Sequence, residues 1–284
     1  MKRSPEGTNR RAEQEMGEKV QESTKEFTQK SAPESEQKSR LPKLSERLGA
    51  LFDLIPACAI AVDVGCDHGY IPIALVESGK CQRAVACDIN RGPLEKAQEN
   101  IAAAGLSGQI KTVLSNGLRN PEIYDLIRVP DAALIIAGMG GLLMIDILTN
   151  AVDLDHTFSS LILQPQSDVS AVRLWLAENG WKIHSEFALT EDGKYYEGIL
   201  VRKQVQTEAI SLTSEEAWFG PELLKSRNPV TREHILKQKQ IRLAILEKLR
   251  DSGDARAAAR RDELLGELEI IEKGLRREEF SHEV

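Results

Sequence analysis

The sequence predicts an α/β fold built on a doubly wound, largely parallel sheet. Short apolar runs recur at 59–64, 83–88, 110–114, 131–137 and 159–164. Helix-forming stretches at 69–79, 92–104, 140–150 and 168–179 alternate with them. The runs are continuous rather than alternately polar, which marks strands covered by helices on both faces.

The remaining segments attach to that frame in order. Residues 1–40 are rich in Lys, Glu, Gln, Ser and Thr, with only Met16, Val20 and Phe27 as large apolar side chains. They bury too little to offset chain entropy and are expected to be a disordered extension. Order is expected from Leu41. Leu44, Leu48, Leu51, Phe52 and Ile55 repeat at helical spacing, and Pro56 ends that run. After Gly180, two longer strands flank Glu191-Asp192-Gly193 as a hairpin closing one sheet edge. The α/β domain therefore spans 41–203, and 204–284 forms a helical region.

In that region Leu212, Trp218 and Phe219 are expected to pack back on the core, and Asn228-Pro229 marks a break. Residues 231–250 and 255–277 read as helices joined by a turn at 251–254. Leu264, Leu268, Ile271 and Leu275 follow a heptad, and Ile241, Ile245 and Leu249 form a matching stripe. A coiled-coil helical hairpin is expected. It pairs either within the chain, as a monomer, or between chains. Its balanced charges suit a solvated face as well as an RNA-gripping arm.

Composition bounds the function. The net charge of −7 argues mildly against a nucleic-acid substrate, although a local basic face can sit on an acidic protein. No run of eighteen apolar residues is present, and the charged N-terminus lacks a signal-peptide core, so neither a membrane span nor secretion is expected. Cys58, Cys66, Cys81 and Cys87 form no Cys-x-x-Cys pair and have no histidine cluster beside them. Buried reduced thiols in a cytoplasmic protein are expected, with no metal site.

Candidate ligand groups stand at successive strand ends. The first strand runs into Asp63-Val64-Gly65-Cys66-Asp67-His68-Gly69-Tyr70, a glycine-bearing turn opening a helix. The second ends in Asp88-Ile89-Asn90, where a carboxylate can accept from ribose hydroxyls. The third leads to Asn116-Gly117, within reach of an adenine edge, and the fourth to Gly138-Met139-Gly140-Gly141. A pyrophosphate loop carries glycine where Asp67 stands. Asp63 and Asp67 would repel pyrophosphate but attract a sulfonium and an amino group. The set therefore favours S-adenosylmethionine over NAD.

These residues, with Leu44-Ser-Glu-Arg47-Leu48, Asp63 to Pro72, Asp88 to Leu94 and Leu161-Ile-Leu-Gln164-Pro165-Gln166, resemble the bacterial tRNA adenine-22 N1-methyltransferases, the TrmK family. The likeness runs from about Leu41 to Arg202. It implies a class I Rossmann-like methyltransferase with a C-terminal coiled coil, using S-adenosylmethionine to methylate N1 of an adenine in tRNA. By resemblance, Asp63, Gly65 and His68, with Cys66 and Gly69, line the methionine end of the cofactor. Asp88 and Ile89 serve the ribose side, and Asn116-Gly117 the adenine. Gly138 and Gly140 face the reaction centre. Asn116 stands where the family commonly has Asp, and Gln166 where it usually has Asn.

Asp67, Met139 and Gln164 are the catalytic candidates. Asp67 is a candidate carboxylate for the cationic product adenine, its other role being to hold the cofactor, Met139 a stacking surface, and Gln164 a polar amide at the fifth strand end. Arg47, Tyr70 and Gln166 are the substrate-binding candidates. Lys43, Arg47, Lys194 and Arg202 suit phosphate contacts or plain surface charge. Lys194-Tyr195-Tyr196-Glu197 resembles the family's hairpin. The alternative is a methyltransferase acting on a protein or small molecule, and a non-enzymatic partner-binding module ranks behind it.

Overall fold

The structure is a computed structural model that describes residues 44–129, 131–203, 209–250 and 254–279. The expected disorder of 1–40, the placement of Lys43 and the turn at 251–253 lie outside the described residues. Helix α1 (Glu46–Leu54) precedes an alternating series: β1 (Cys58–Val64), α2 (Tyr70–Glu77), β2 (Cys81–Asp88), α3 (Arg91–Ala103) and β3 (Ile110–Leu114). Then follow α4 (Pro121–Leu126), β4 (Ala132–Met139), α5 (Gly141–Thr149), α6 (Leu154–Thr157), β5 (Ser160–Pro165) and α7 (Val169–Glu178). The hairpin β6 (Trp181–Glu191) and β7 (Lys194–Lys203) completes the sheet.

The seven strands lie in the order β3-β2-β1-β4-β5-β7-β6. β1 to β5 pair in parallel, whereas β7 runs antiparallel to both β5 and β6. Alternation along β4 shows how the sheet is covered. Ala132, Leu134 and Ile136 enter one apolar cluster, and Ala133 and Ile135 enter the cluster on the opposite face. Each such Leu or Ile, removed wholly from water, contributes roughly 1.5–3 kcal/mol. The strand order reverses between β1 and β4, and the C-terminal strand ends open a crevice there.

β4 extends two residues beyond the apolar run that predicts it. A β-bulge between Ala137 and Met139 shifts its register against β5. Gly138 sits at φ +76° inside that bulge and is turned out to the surface. Periodicity cannot see a bulge, because the extra residue breaks the alternation from which strands are read. The short helices α4 and α6 also lie where no periodic pattern announced them.

Beyond β7, α8 (Ser214–Phe219), α9 (Pro221–Lys225), α10 (Pro229–Leu249) and α11 (Ala255–Glu279) follow. Asn228-Pro229 starts a helix rather than merely breaking the chain. The Asn228 side chain accepts from the Val230 and Thr231 amides at 3.0 and 3.0 Å, and Pro229 occupies the first turn. α10 and α11 run antiparallel, joined by Arg242–Glu267 at 2.6 Å and Lys239–Glu272 at 2.5 Å. Leu264 and Ile271 are fully buried, but Ile241 is 44% exposed and lies off the seam. The inward row of α10 instead passes through Ile235 and the half-buried Gln238, Arg242, Ile245 and Leu249. Arg242 takes an inward place because its guanidinium lies over the Trp218 ring, 5.4 Å from its centre, and meets Glu267.

A buried ion network ties the helices to the hairpin. Arg173 of α7 is wholly buried and donates to Glu186 at 2.9 Å and to Glu197. It also donates to the carbonyls of Ala217 and Trp218 at 3.2 and 3.3 Å. Burial opposes its charge, yet the two glutamates outweigh that cost and hold its proton more tightly than usual.

Candidate active site at the strand ends

A cavity of about 270 Å³ opens where β1 and β4 part. Arg47, Asp63, Gly65, Cys66, Asp67, His68, Tyr70, Gly138 and Gln166 line it, with Leu48, Leu51, Ile71 and Ala137 supplying apolar wall. The floor is the β1–α2 turn, where Gly65, Asp67 and Gly69 all take positive φ, at +78°, +48° and +72°. Gly65 is constrained twice. Its conformation suits glycine, and a Cβ there would stand 2.9 Å from the Met139 methyl.

The floor is electrically unbalanced. Asp63 is 5% exposed, and burial, with the charges of Asp88 and Asp67, pushes its carboxyl up to about 7. His68 stacks on Tyr70 at 5.4 Å, and its Nδ1 is buried without a hydrogen-bond partner among the described residues. A buried carboxylate with no counter-cation among the described residues and an orphaned imidazole nitrogen fit a cationic, hydrogen-bonding ligand such as the amino-acid end of S-adenosylmethionine. They do not fit a pyrophosphate.

Asp88 and Ile89 stand one strand away. One Asp88 oxygen accepts from the Asn90 amide at 2.8 Å, which fixes the carboxylate at the end of β2. Ile89 is 59% exposed beside it. Next along the edge, Gly117 packs against Ile147 while Asn116 is exposed. These four residues do not line the cavity, but they continue its edge across β2 and β3.

The opposite wall is assembled from distant segments. Gly141 donates to the Ser167 carbonyl at 3.0 Å, and a Cβ on it would meet that oxygen at 2.5 Å. The Gln166 main-chain N–H donates to the Met139 carbonyl at 2.9 Å. The β4–α5 and β5–α7 turns are thereby locked together, with Gly140 between them and Gly138 facing Gln166. Arg47 reaches in from α1. Its Nη1 donates to Gln164 Oε1 at 2.9 Å, and its guanidinium lies 5.5 Å from the Tyr196 ring centre. Gln164 is thus fully buried beneath Arg47 and not at the cavity wall, where the sequence expectation put its amide. Met139 likewise turns its thioether toward Gly65 and the core, not into the cavity.

Comparison with known proteins agrees with this geometry. The methyltransferase-domain family matches residues 44–199. The tRNA (adenine(22)-N(1))-methyltransferase of Bacillus subtilis strain 168 is 31% identical over 236 residues, covering 81% of this chain and 96% of that protein. This chain belongs to the tRNA (adenine-22-N1)-methyltransferase family. Two solved structures are similar over 82% of the chain. M. capricolum TrmK in complex with S-adenosylhomocysteine is 29% identical with a TM-score of 0.72, and 98% of it is covered. Streptococcus pneumoniae Sp1610 in complex with S-adenosyl-L-methionine is 33% identical with a TM-score of 0.70, and 99% of it is covered.

Two features of this family member escape sequence reasoning. Glu191, read there as a turn residue, accepts from the Arg47 amide at 3.1 Å and from Ser45 Oγ at 3.4 Å. The Arg47 amide and the Ser45 hydroxyl hold its carboxyl below the usual range. Glu191 thereby caps the start of α1 from 144 residues away and aims Arg47. Tyr196 is the second, since only the fold brings it under Arg47. Arg202 is exposed on β7 and does not line the cavity. Among the described residues there is no three-ligand His/Cys/Asp/Glu cluster for a metal and no helix long and apolar enough to cross a membrane.

Proposed function

We infer that this protein transfers a methyl group from S-adenosylmethionine to N1 of the adenine at position 22 of bacterial tRNA. Its near full-length likeness to the B. subtilis enzyme supports this. The single structural observation that carries it is the buried Asp63 carboxyl at the cavity floor, which suits a cationic ligand group. Bound there, S-adenosylmethionine supplies an electrophilic methyl group on a positively charged sulfur.

This chain's own residues do the rest. Asp63 and the free His68 Nδ1 hold the methionine end, with Gly65, Cys66 and Gly69 letting it lie against the backbone. Asp88 offers its free oxygen to the ribose hydroxyls, while Ile89, Asn116 and Gly117 border the cofactor's adenine. Gly138 and Gly140 leave room above the β4–β5 edge for the target base, and Gln166 presents its amide to that base. Tyr70, 38% exposed at the cavity rim, offers a face for stacking. Arg47, pinned by Gln164 and Glu191, faces the RNA.

The adenine N1 lone pair forms the new N–C bond as the C–S bond breaks, and the positive charge moves onto the base. N1 carries no proton to lose, so His68 is assigned no base role. Catalysis is positioning and exclusion of water, with Asp67 as the nearby carboxylate for the new cation. N1 is normally paired, so the target must be splayed out of the tRNA fold. The intrachain pairing of α10 with α11 supports a monomer, and four free buried cysteines suit the cytoplasm.

The test is transfer of labelled methyl to an unmodified tRNA transcript and to one with the position-22 adenine replaced. Incorporation into the first alone is expected. Incorporation into both would move the target, and incorporation into neither with cofactor bound would remove tRNA as substrate.

A further inference from the structure

A larger cleft, about 490 Å³, lies beyond Gln166 and is used by nothing above. The hairpin strand β7 forms one side and α10 the other, with Lys194, Tyr196, His234 and Lys237 facing it. We propose that this cleft is a second nucleotide subsite, which holds a neighbour of the methylated adenine on the same RNA strand. The proposal rests on the tRNA reading above and adds where the strand runs.

Three observations carry it. The cleft adjoins the reaction cavity, since Gln166 stands in the walls of both. A base splayed into the reaction cavity brings its covalent neighbour along, and this adjoining cleft of about 490 Å³ has room for it. Second, the charges suit RNA. Neither the Lys194 nor the Lys237 ammonium has an ion-pair partner among the described residues, so both can meet a phosphate. The one carboxylate in the wall, Glu197, is 6% exposed and bonded to the Arg173 guanidinium. Its charge is therefore answered from behind.

Third, the walls are preformed. His234 stacks on Tyr195 with ring centres 3.9 Å apart, and the Tyr195 hydroxyl meets Thr231 Oγ1 at 3.4 Å. Burial lowers the pKa of His234, which favours the uncharged imidazole beside the lysines. Tyr196, held under Arg47, separates cleft from cavity and offers an aromatic ring to a single-stranded base. The hairpin sequence Lys194-Tyr195-Tyr196-Glu197 thereby acquires a role, with one residue for phosphate, one for the wall, one for the base and one for the ion network.

The experiment compares wild type, the Lys194→Ala/Lys237→Ala double variant and a control, Lys111→Ala, on β3 at the opposite edge of the sheet. Each is measured for KM and kcat on a tRNA transcript, Kd for S-adenosylmethionine, and the salt dependence of tRNA binding. The expected double variant has a KM for tRNA at least tenfold higher, with cofactor Kd and melting temperature unchanged. Its plot of log Kd against log salt is shallower by about 1.4, since each single-strand phosphate contact is worth about 0.7. The control matches wild type. An unchanged KM and salt slope in the double variant, with wild type active, overturns the subsite alone. A control that loses as much as the double variant overturns it too, by showing a general charge effect. A wild type that binds cofactor but no tRNA overturns the tRNA reading and the subsite with it.

Discussion

The two halves of the cavity edge are built in opposite ways. The ends of β1, β2 and β3 present carboxylates and glycines on tight local turns, all within one stretch from Asp63 to Gly117. The β4 to β7 half presents one cation, Arg47, whose position depends on Gln164, Glu191 and Tyr196 from three other elements. The first half suits a small cation of fixed shape. The second must receive a polyanion arriving from outside, and its positive charge is held by long-range contacts instead of by local chain geometry. Affinity for cofactor and affinity for RNA should therefore respond to different residues.

The largest effect should come from dissolving the second half altogether. Arg173→Ala leaves Glu186 and Glu197 buried without a counter-charge beneath the hairpin. Loss of one partner from such a buried network costs about 3–5 kcal/mol. For a chain of this size that is a fall in melting temperature of about 10 °C, read by calorimetry. A fall of only a degree or two would mean that the network does not anchor the hairpin.

Next in size, Asp63→Asn should attack the first half alone. Losing charged hydrogen bonds costs about 1.5–3 kcal/mol, or roughly 10–150-fold in cofactor Kd by titration calorimetry. Equal binding by the variant would take Asp63 out of the cofactor site.

The same carboxyl makes the first half pH-sensitive. Asp63 has a raised pKa, about 7 in the folded protein, so it is increasingly protonated below that pH and attracts a cation less. Cofactor affinity should fall up to tenfold per pH unit below about 7 and level off above it. The sign for stability is opposite. Because the folded state binds the extra proton, Asp63 makes the unliganded protein less stable as pH rises from about 4 to 7. A profile that is flat in wild type, or unchanged in Asp63→Asn, would contradict this.

The smallest effect belongs to Glu191→Gln, which weakens the exposed carboxylate that aims Arg47. A few-fold rise in KM for tRNA with unaltered cofactor Kd is expected from steady-state kinetics, and a change in cofactor Kd would tie the two halves together.

The same division explains what was legible beforehand. The parallel strands, the hairpin and the turn residues Asp63, Gly65, Asp88 and Asn116 could be read because each rests on local periodicity or turn chemistry. Gly138 stood in a recognisable glycine cluster, but its exposure depends on a bulge that no alternation reveals. Gln164 follows the fifth strand toward the cavity, yet its side chain is taken up by Arg47, a contact across 117 residues. Glu191 and Tyr196 stand in a legible hairpin, but nothing local to a turn carboxylate or a hairpin tyrosine announces a contact with Arg47. Ile241 is apolar and at seam spacing, but the seam is occupied by Gln238 and Arg242, whose polar ends bond to each other and to Glu267.

The most direct test of the two-half account measures cofactor Kd and tRNA KM together in Asp63→Asn and Arg47→Ala. The account predicts a crossed pattern, with Asp63→Asn weakening cofactor at least tenfold and sparing tRNA binding to the cofactor-free enzyme. Arg47→Ala should raise the tRNA KM with cofactor Kd within twofold of wild type. Both variants losing both affinities alike would contradict it, and the cavity would then be a single coupled site.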